Sequence, residues 1–570
     1  MPSPVRAPRS RIAALLATVL VLAVAPLATV GTQQASALDN GVALTPPMGW
    51  NTWNSFGCDI SEQLIRSSAD ALVTSGMKDA GYDTVVVDDC WFDPQRDAQG
   101  NLRGDATRFP SGMKALGDHL HGKGLKFGIY QVPTDRTCAQ RNNAYPGSTG
   151  SRGHERQDAN SFAAWGVDYL KYDWCSPAGT LDEQIAAFTA MRDALHDTGR
   201  PIVYSINPNS YHPAKTGATY DWSAVANLWR TTEDISSSWD KHKTTNSYSM
   251  GVMDIVHFNG FLGRQAGPGH WNDPDMMEVG VPGMTEGEYR SHFSLWAQMA
   301  APLIAGNKLA SMTPAVRDIL TNRAVIRVDQ DALGRAARIV ADSDTELVTV
   351  RELAGGDRSV TLTNTGAGTA TVTTGAAELG IAGAPSYAVT DLWTGASTTT
   401  TGALSATLAP HATAMFRITP NGAVGTVQPA PADGTYEIAA TGPGQVMDDP
   451  GSSTASGKQM ITWSRNRAAN QRWILTAGAD GTYALRNKAS GLCLDVYNGD
   501  TTAGTAVIQW TCDAGKSNQR FGLTPAGAAG YNLVARNSGL AVTPSGTTDN
   551  SALTQQPLTA ARPWTFTRTN

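Results

Sequence analysis

The stretch Leu170-Lys171-Tyr172-Asp173-Trp174-Cys175 decides how this chain is read. The run before it, Trp165-Gly166-Val167-Asp168-Tyr169, is apolar enough for an interior parallel strand, and the Cys175-Ser176-Pro177-Ala178-Gly179 after it reads as loop. Asp173 therefore stands where strand becomes loop. In a (β/α)8 barrel the C-terminal strand ends supply the catalytic side chains, so Asp173 is a candidate nucleophile or acid/base, with Lys171 two residues earlier on the same face. The competing reading of the isolated motif is an Asp that caps the next helix.

Outward from this motif, short apolar runs alternate with amphipathic stretches from about Asp39 to Gly334. Strands are expected at Tyr82 to Asp88, Leu125 to Tyr130, Tyr169 to Asp173, Pro201 to Ser205, Leu228 to Thr232 and Pro302 to Ala305. Helices are expected at Ser61 to Ala80, Gly112 to Lys123, Leu181 to Thr198 and Glu286 to Ala300. Strand and helix alternating over this length predict a parallel α/β fold closed into a (β/α)8 TIM barrel, residues 38–334. Beyond Gly334 the helical period disappears. Runs such as Glu346 to Arg351 and Ser359 to Thr363 alternate in strand fashion, which predicts an antiparallel β-sandwich domain over residues 335–419. Pro420 to Asp433 is rich in Pro, Ala and Gly and reads as a linker, residues 420–433.

Composition narrows the partners. With 570 residues, 41% hydrophobic and 16% charged, the chain is long enough for several cored domains, and its net charge of −6 includes no basic stripe that would suit nucleic acid. The one long apolar run is N-terminal. Arg6, Arg9 and Arg11 precede an apolar core from Ile12 to about Ala28, and Ala35-Ser36-Ala37 follows, so residues 1–37 are expected to be a secretory signal cut after Ala37. The mature protein is then secreted and extracellular, with no membrane partner. Six cysteines, four early and two late, suggest three bridges that do not cross domains. No C-x-x-C spacing or His pair accompanies them, so no metal is expected.

The segment 434–570 repeats itself. Gln471-Arg472-Trp473, Gln519-Arg520-Phe521 and Arg562-Pro563-Trp564 recur at intervals of 48 and 43 residues, and units of this size must share one core. With Asn470-Gln471-x-Trp473, Asn518-Gln519-x-Phe521, Cys493-Leu494-Asp495-Val496 and Trp510-Thr511-Cys512, the segment resembles the ricin-B type lectins, which are β-trefoils. The resemblance implies carbohydrate contacts at Asp495, Trp510 and Asn518 in the middle unit, a Cys493–Cys512 disulfide, and a second site at Asp448, Trp463 and Asn470. Aromatic faces stack on sugar C–H surfaces while carboxylate and amide fix hydroxyls. In the third unit Thr543 and Pro544 stand where the Asp belongs, so no site is expected there. Ile461 and Ile508 also replace the family's Gln before the aromatic, while Gln471, Trp473, Gln519 and Phe521 are expected in the core.

Further carboxylates stand at expected strand ends of the first domain: Asp88 and Asp89, Asp234, and Asp273 and Asp275. Acids delivered to one rim, with Trp50, Trp91 and Trp271 close in sequence, suit a sugar pocket, and glycoside hydrolysis needs two carboxyls flanking the scissile bond. Met48-Gly49-Trp50-Asn51, Val87-Asp88-Asp89-Cys90-Trp91, Gly124 to Tyr130, the Leu170-to-Cys175 motif, Trp229-Arg230 with Asp234-Ile235, and Gly267 to Met276 occur in the order seen in glycoside hydrolase family 27. The resemblance runs from about Leu44 to Gly334.

That resemblance implies a barrel followed by a C-terminal β domain, and a retaining double displacement with Asp173 as nucleophile and Asp234 as acid/base. Such a pair should stand about 5–5.5 Å apart. It further implies substrate contacts at Lys171 and Arg230, at Asp88 and Asp89 for the 6- and 4-hydroxyls of galactose, at Trp50 as the pocket-wall aromatic, and at Tyr130, Asp275 and Met276. Disulfides Cys58–Cys90 and Cys138–Cys175 follow from it, and the chemistry calls for no cofactor. The expected function is a secreted exo-α-galactosidase acting on galactosylated oligo- or polysaccharide. The alternatives are a β-L-arabinopyranosidase or isomaltodextranase of the same family, with a non-catalytic lectin disfavoured because both catalytic acids are present. Asp88, a short acid facing C6, favours galactose. Ser205 to Ser210 replaces the family's Cys-Glu-Trp or Cys-Ser-Trp segment, leaving Asn207 to meet the 2-hydroxyl, and Trp174 replaces a small residue after the nucleophile.

Overall fold

The computed structural model describes Met1 and residues 38–241, 249–259, 262, 266–342, 345–424, 430–440, 445–478, 480–526 and 530–569. Apart from Met1, the expected signal segment lies outside these residues, as does the centre of the expected linker.

Eight parallel strands form the first sheet. They are β1 (Met48–Asn51), β2 (Thr84–Val87), β3 (Lys126–Gln131), β4 (Tyr169–Asp173), β5 (Val203–Asn207), β6 (Leu228–Arg230), β7 (Trp271–Asp273) and β8 (Leu303–Ala305). Each pairs with the next in sequence from β1 to β7, and β8 pairs back onto β1. The remaining seam is closed just past β7, where Met277 bridges Ala305 in parallel and its N–H donates to the Ile304 carbonyl at 2.7 Å. The strands are short and buried on both faces, as a barrel wrapped by helices requires. β1 is absent from the expected strands, and β7 was expected only through the acids at its end: the Met48-Gly49-Trp50-Asn51 and Trp271-Asn272-Asp273 runs mix apolar residues with Gly, Asn and Asp and lack the continuous apolar signal of β2 and β8.

The helices follow their local signals. Thr180 and Thr285 form capping boxes with Glu183 and Glu288 ahead of Leu181–Asp197 and Glu286–Met299. The single helix expected over Ser61 to Ala80 is two, Glu62–Thr74 and Met77–Ala80, because Gly76 takes a left-handed φ of 85° just past the first.

Antiparallel strands β9 (Arg338–Asp342), β10 (Glu346–Glu352), β11 (Arg358–Asn364), β12 (Ala370–Gly375), β13 (Tyr387–Asp391), β14 (Ser397–Thr400), β15 (Ala403–Leu408) and β16 (Thr413–Pro420) follow. Six of them form a sheet in the order β9-β10-β11-β16-β13-β14, and β12 pairs with β15 across a core of Val348, Val360, Leu362 and Val372. The second core spans both sheets, giving the β-sandwich. Arg351 ties the sandwich to the barrel: fully buried, it donates to the carbonyls of Ala297 and Asp329.

From Gly434 to Thr569 a twelve-stranded antiparallel sheet makes the trefoil. Trp473, Phe521 and Trp564, the aromatics of the three repeats, are all 0% exposed in its core. The repeat works because each unit contributes one aromatic to a centre that none could bury alone.

Candidate active site

A cavity of about 760 Å3 opens at the C-terminal ends of the barrel strands, within the usual size range of small-molecule sites. Asp88, Asp89, Tyr130, Lys171, Asp173, Arg230, Asp234, Asp275 and Met276 all line it. Residues spread over nearly 190 positions of sequence are brought together because each stands at or just beyond the end of a parallel strand.

Asp173 is the last residue of β4 and pairs in register with Asn207. It is buried, and its Oδ1 has no hydrogen-bond partner among the described residues. Burial pushes its carboxyl up to about 7; Lys171 and Arg230 oppose the shift while Asp88 and Asp234 add to it. An unpartnered buried polar atom costs on the order of 1–3 kcal/mol, so the strand end holds an oxygen poised for an incoming group.

Lys171 donates to Asp88 Oδ2 at 2.8 Å, and Asn51 donates to the same oxygen at 2.7 Å. Burial alone would favour the neutral amine, but the charges of Asp88 and Asp173 hold the ammonium firmly protonated. Asp89 accepts from the backbone N–H groups of Cys90 at 2.7 Å and Ala139 at 2.8 Å, yet burial raises its carboxyl to about 7.

On the other side, Arg230 bridges two acids, Asp275 at 2.8 Å and Asp234 at 3.2 Å. Their surroundings differ: the Asp275 side chain is 7% exposed, whereas that of Asp234 is 48% exposed. Asp234 therefore stands at the mouth and Asp173 on the floor. Asp275 has a φ of 89°, a conformation that costs a non-glycine residue roughly 1–3 kcal/mol. Its carboxylate takes the Ile235 N–H at 2.8 Å and its carbonyl takes the Trp296 indole N–H at 2.9 Å, contacts that offset the strain.

The disulfides join Cys58 to Cys90, Cys138 to Cys175 and Cys493 to Cys512. Cys138, Asp173 and Cys175 place ligand-type atoms within 4.8 Å of one another, but the two sulfurs are bonded to each other, so the group is a bridge beside Asp173.

Two expected contacts are not met. Trp50 is 0% exposed, with its indole N–H on the Asn307 carbonyl; Trp53, one turn of chain further on, lines the cavity instead. Strand β1 turns Trp50 into packed core, edge-to-face with Phe56 at a ring-centroid distance of 6.1 Å. Asn207 lies under the site, 2% exposed, donating to Ser210 Oγ and accepting from the Asn209 N–H; it shapes the loop while Ser210 and Tyr211 reach the cavity. Trp91 and Trp271 are likewise core residues. Trp174 packs on Phe188 and His212 and is absent from the cavity lining, so its bulk lies behind Asp173. Sequence reasoning missed Trp53, Asn54, Tyr211, Lys215 and Glu233. Trp53, in a second aromatic position after Trp50, was the one visible signal.

In the trefoil, Asp448 Oδ2 accepts from Asn470 at 3.0 Å and Gln471 at 2.8 Å, and the two oxygens of Asp495 accept from Asn518 at 3.0 Å and Gln519 at 2.8 Å. Trp463 and Trp510, 41% and 40% exposed, are paired across strands with the runs that hold these acids. The third unit presents no exposed large aromatic among the described residues, and Thr543 and Pro544 are buried there.

Known proteins share this architecture. Residues 45–331 match the family described as alpha galactosidase A, residues 343–418 the alpha galactosidase C-terminal beta sandwich domain, and residues 426–510 and 500–557 the ricin-type beta-trefoil lectin domain-like family. The alpha-galactosidase A of Cellvibrio japonicus is 48% identical over 311 residues, 54% of this chain and 72% of that protein. The alpha-galactosidase of rice is 42% identical over 385 residues, 68% of this chain and 87% of that one. Among solved structures, alpha-galactosidase I from Mortierella vinacea superposes with a TM-score of 0.63 at 33% identity, covering 68% of this chain and all of that one.

Proposed function

The chain belongs to the alpha galactosidase A family of glycoside hydrolases and is an α-galactosidase, and we propose that it releases terminal α-D-galactosyl residues by retaining double displacement, with Asp173 as nucleophile and Asp234 as acid/base. The observation that carries the assignment is the contrast between the two acids: Asp173 buried with an unpartnered oxygen, Asp234 half-exposed, and Arg230 beside both.

In the first step an Asp173 oxygen bonds to the anomeric carbon as the glycosidic bond breaks, and the Asp234 proton passes to the leaving oxygen. In the second, Asp234 takes a proton from water, which attacks the same carbon and frees Asp173. Lys171 and Arg230, both cationic and buried, favour the ionised Asp173 that must attack. Asp88 and Asp89 are suited to hold the 6- and 4-hydroxyls, and Asp88 is one methylene shorter than Glu, leaving room for C6. Two trefoil sites, at Asp448, Trp463 and Asn470 and at Asp495, Trp510 and Asn518, would hold the enzyme on a galactosylated polysaccharide outside the cell. The N-terminal Arg-flanked apolar run ending in Ala35-Ser36-Ala37 supports export. Among the described residues no helix is long and apolar enough to cross a membrane.

Matched aryl α-D-galactopyranoside, β-L-arabinopyranoside and α-D-glucoside test the assignment. The galactoside is expected to turn over fastest, with the α anomer formed first by NMR, and Asp173→Ala to retain almost no rate. Faster arabinoside cleavage, a β first product or substantial residual rate on an activated substrate would each overturn its part.

A further inference from the structure

A second cavity, of about 610 Å3, lies where the three domains meet: Ala266 of the barrel, residues 338–341 of β9 and residues 522–525 of the trefoil all line it. β9 is the edge strand of its sheet, which leaves that side of the sandwich to the trefoil. The cavity shares no lining residue with the one that holds Asp173 and Asp234. Its volume is within the usual range of small-molecule sites.

The lining combines two chemistries. Ala337, Ala341, Leu379, Leu523 and Pro525 form an aliphatic wall, while Arg335, Arg338 and Arg358 bring three guanidiniums. Those three have one carboxylate among them: Glu352 pairs with Arg335 through one oxygen and with Arg358 through the other, the latter at 3.2 Å. Arg338 donates from Nη2 to the Glu378 carbonyl at 2.7 Å, but its Nη1 is buried with no hydrogen-bond partner among the described residues. Burial, with the Arg358 charge adding to it, pushes the Arg338 guanidinium down to about 10, against the pull of Glu352 and Glu378. The neighbouring acids are engaged elsewhere. Asp357 pairs with Arg417, the Glu378 carboxylate accepts from Thr374 and the Gly375 N–H, and Asp480 on the trefoil wall accepts from Thr482 and Arg536.

Three guanidiniums around one carboxylate leave positive charge that a second carboxylate would complete, and a guanidinium fork matches a carboxylate in shape as well as in sign. The wall beside them offers a sugar ring few polar partners but suits an aliphatic chain. We propose that this junction binds an aliphatic carboxylic acid, its carboxylate held by Arg338 and Arg358 and its chain lying along Leu379, Leu523 and Pro525. Because the cavity is walled by all three domains, the bound acid stabilises the folded chain by mass action.

The test is calorimetric titration of the full chain with hexanoate, octanoate and decanoate. Affinity is expected to rise roughly two- to fourfold per added methylene, and 1-octanol to bind at least about tenfold more weakly than octanoate. Saturating galactose should leave octanoate binding unchanged. Arg338→Met removes the guanidinium with the unmet donor. Gly522→Leu fills the cavity from the trefoil side, where a Cβ would meet nothing nearer than the Val534 carbonyl oxygen at 3.9 Å. Each variant is expected to weaken octanoate by about tenfold or more while hydrolysis of aryl galactosides stays at the parent rate. Displacement of octanoate by galactose, equal binding of galacturonate or 1-octanol, or affinity independent of chain length would overturn the site. So would a folded Gly522→Leu variant that binds like the parent, whatever the fate of Arg338→Met, or a parent chain that neither takes up octanoate nor gains melting temperature at millimolar concentration.

Discussion

Asp173 is an acid placed where ionisation is costly, and two measurable consequences follow. Its carboxyl lies near 7 rather than near 3.8, chiefly through burial. In the proposed mechanism attack requires the ionised form, so the acidic limb of kcat/KM is expected well above the ordinary carboxylate range and displaced toward 7; a limb near 4 would contradict it. The effect on stability has a definite sign. An acid raised on folding keeps a proton that the unfolded chain releases, so stability is lost as pH rises from about 4 through about 7. Asp173→Asn removes that loss. Its unfolding free energy is expected to match the parent's near pH 4 and to exceed it at pH 8 by on the order of 4 kcal/mol at most, read from denaturant unfolding at the two pH values. Residue identity was legible here because Asp173 and Asp234 stand in motifs of fixed spacing. The Trp50 and Trp53 roles were not, since nothing local says which of two aromatics a strand end turns inward.

At the scale of elements, the loop between β5 and β6 controls more than its length suggests. A Cβ on Gly217 would fall 1.8 Å from the Arg230 carbonyl oxygen, far inside contact distance. Gly217→Ala must therefore shift either the loop or the end of β6, and with it the Arg230 contacts to Asp234 and Asp275. It is expected to lower kcat/KM by more than about tenfold together with the melting temperature, read by steady-state kinetics and thermal unfolding; an unchanged enzyme would show that the close approach is dispensable. Long helices were legible from their caps, as at Thr180 and Thr285. The break at Gly76 and the strand β1 were not, because a left-handed glycine leaves no mark on the amphipathic period and Met48-Gly49-Trp50-Asn51 breaks the apolar run that marks the other strands.

Over the whole molecule, the barrel cavity and the exposed trefoil residues Trp463 and Trp510 belong to separate cores. Trp463→Ala and Trp510→Ala are expected to leave hydrolysis of small aryl galactosides unchanged while weakening retention on insoluble galactosylated polysaccharide. The double variant should lose far more than either single one, because two linked sites raise the effective concentration of the second contact. Equal retention by the double variant and the parent in a pull-down would remove the trefoil from substrate binding. The division into barrel, sandwich and trefoil was already visible in the chain, as the strand-helix alternation stops at Gly334 and the Gln-x-aromatic repeat begins after the Pro-rich stretch. Alternation, repetition and motif order are properties of neighbours along the chain, so the fold class and the proposed acids could be read there, and the cysteine pairs through the family resemblance that motif order carries. Which Trp faces the cavity, that Asn207 braces a loop beneath it, and that Tyr211, Lys215 and Glu233 meet beside Asp234 were decided only by folding. Those facts depend on contacts between distant segments and on the direction each side chain takes once the core has claimed the largest apolar groups.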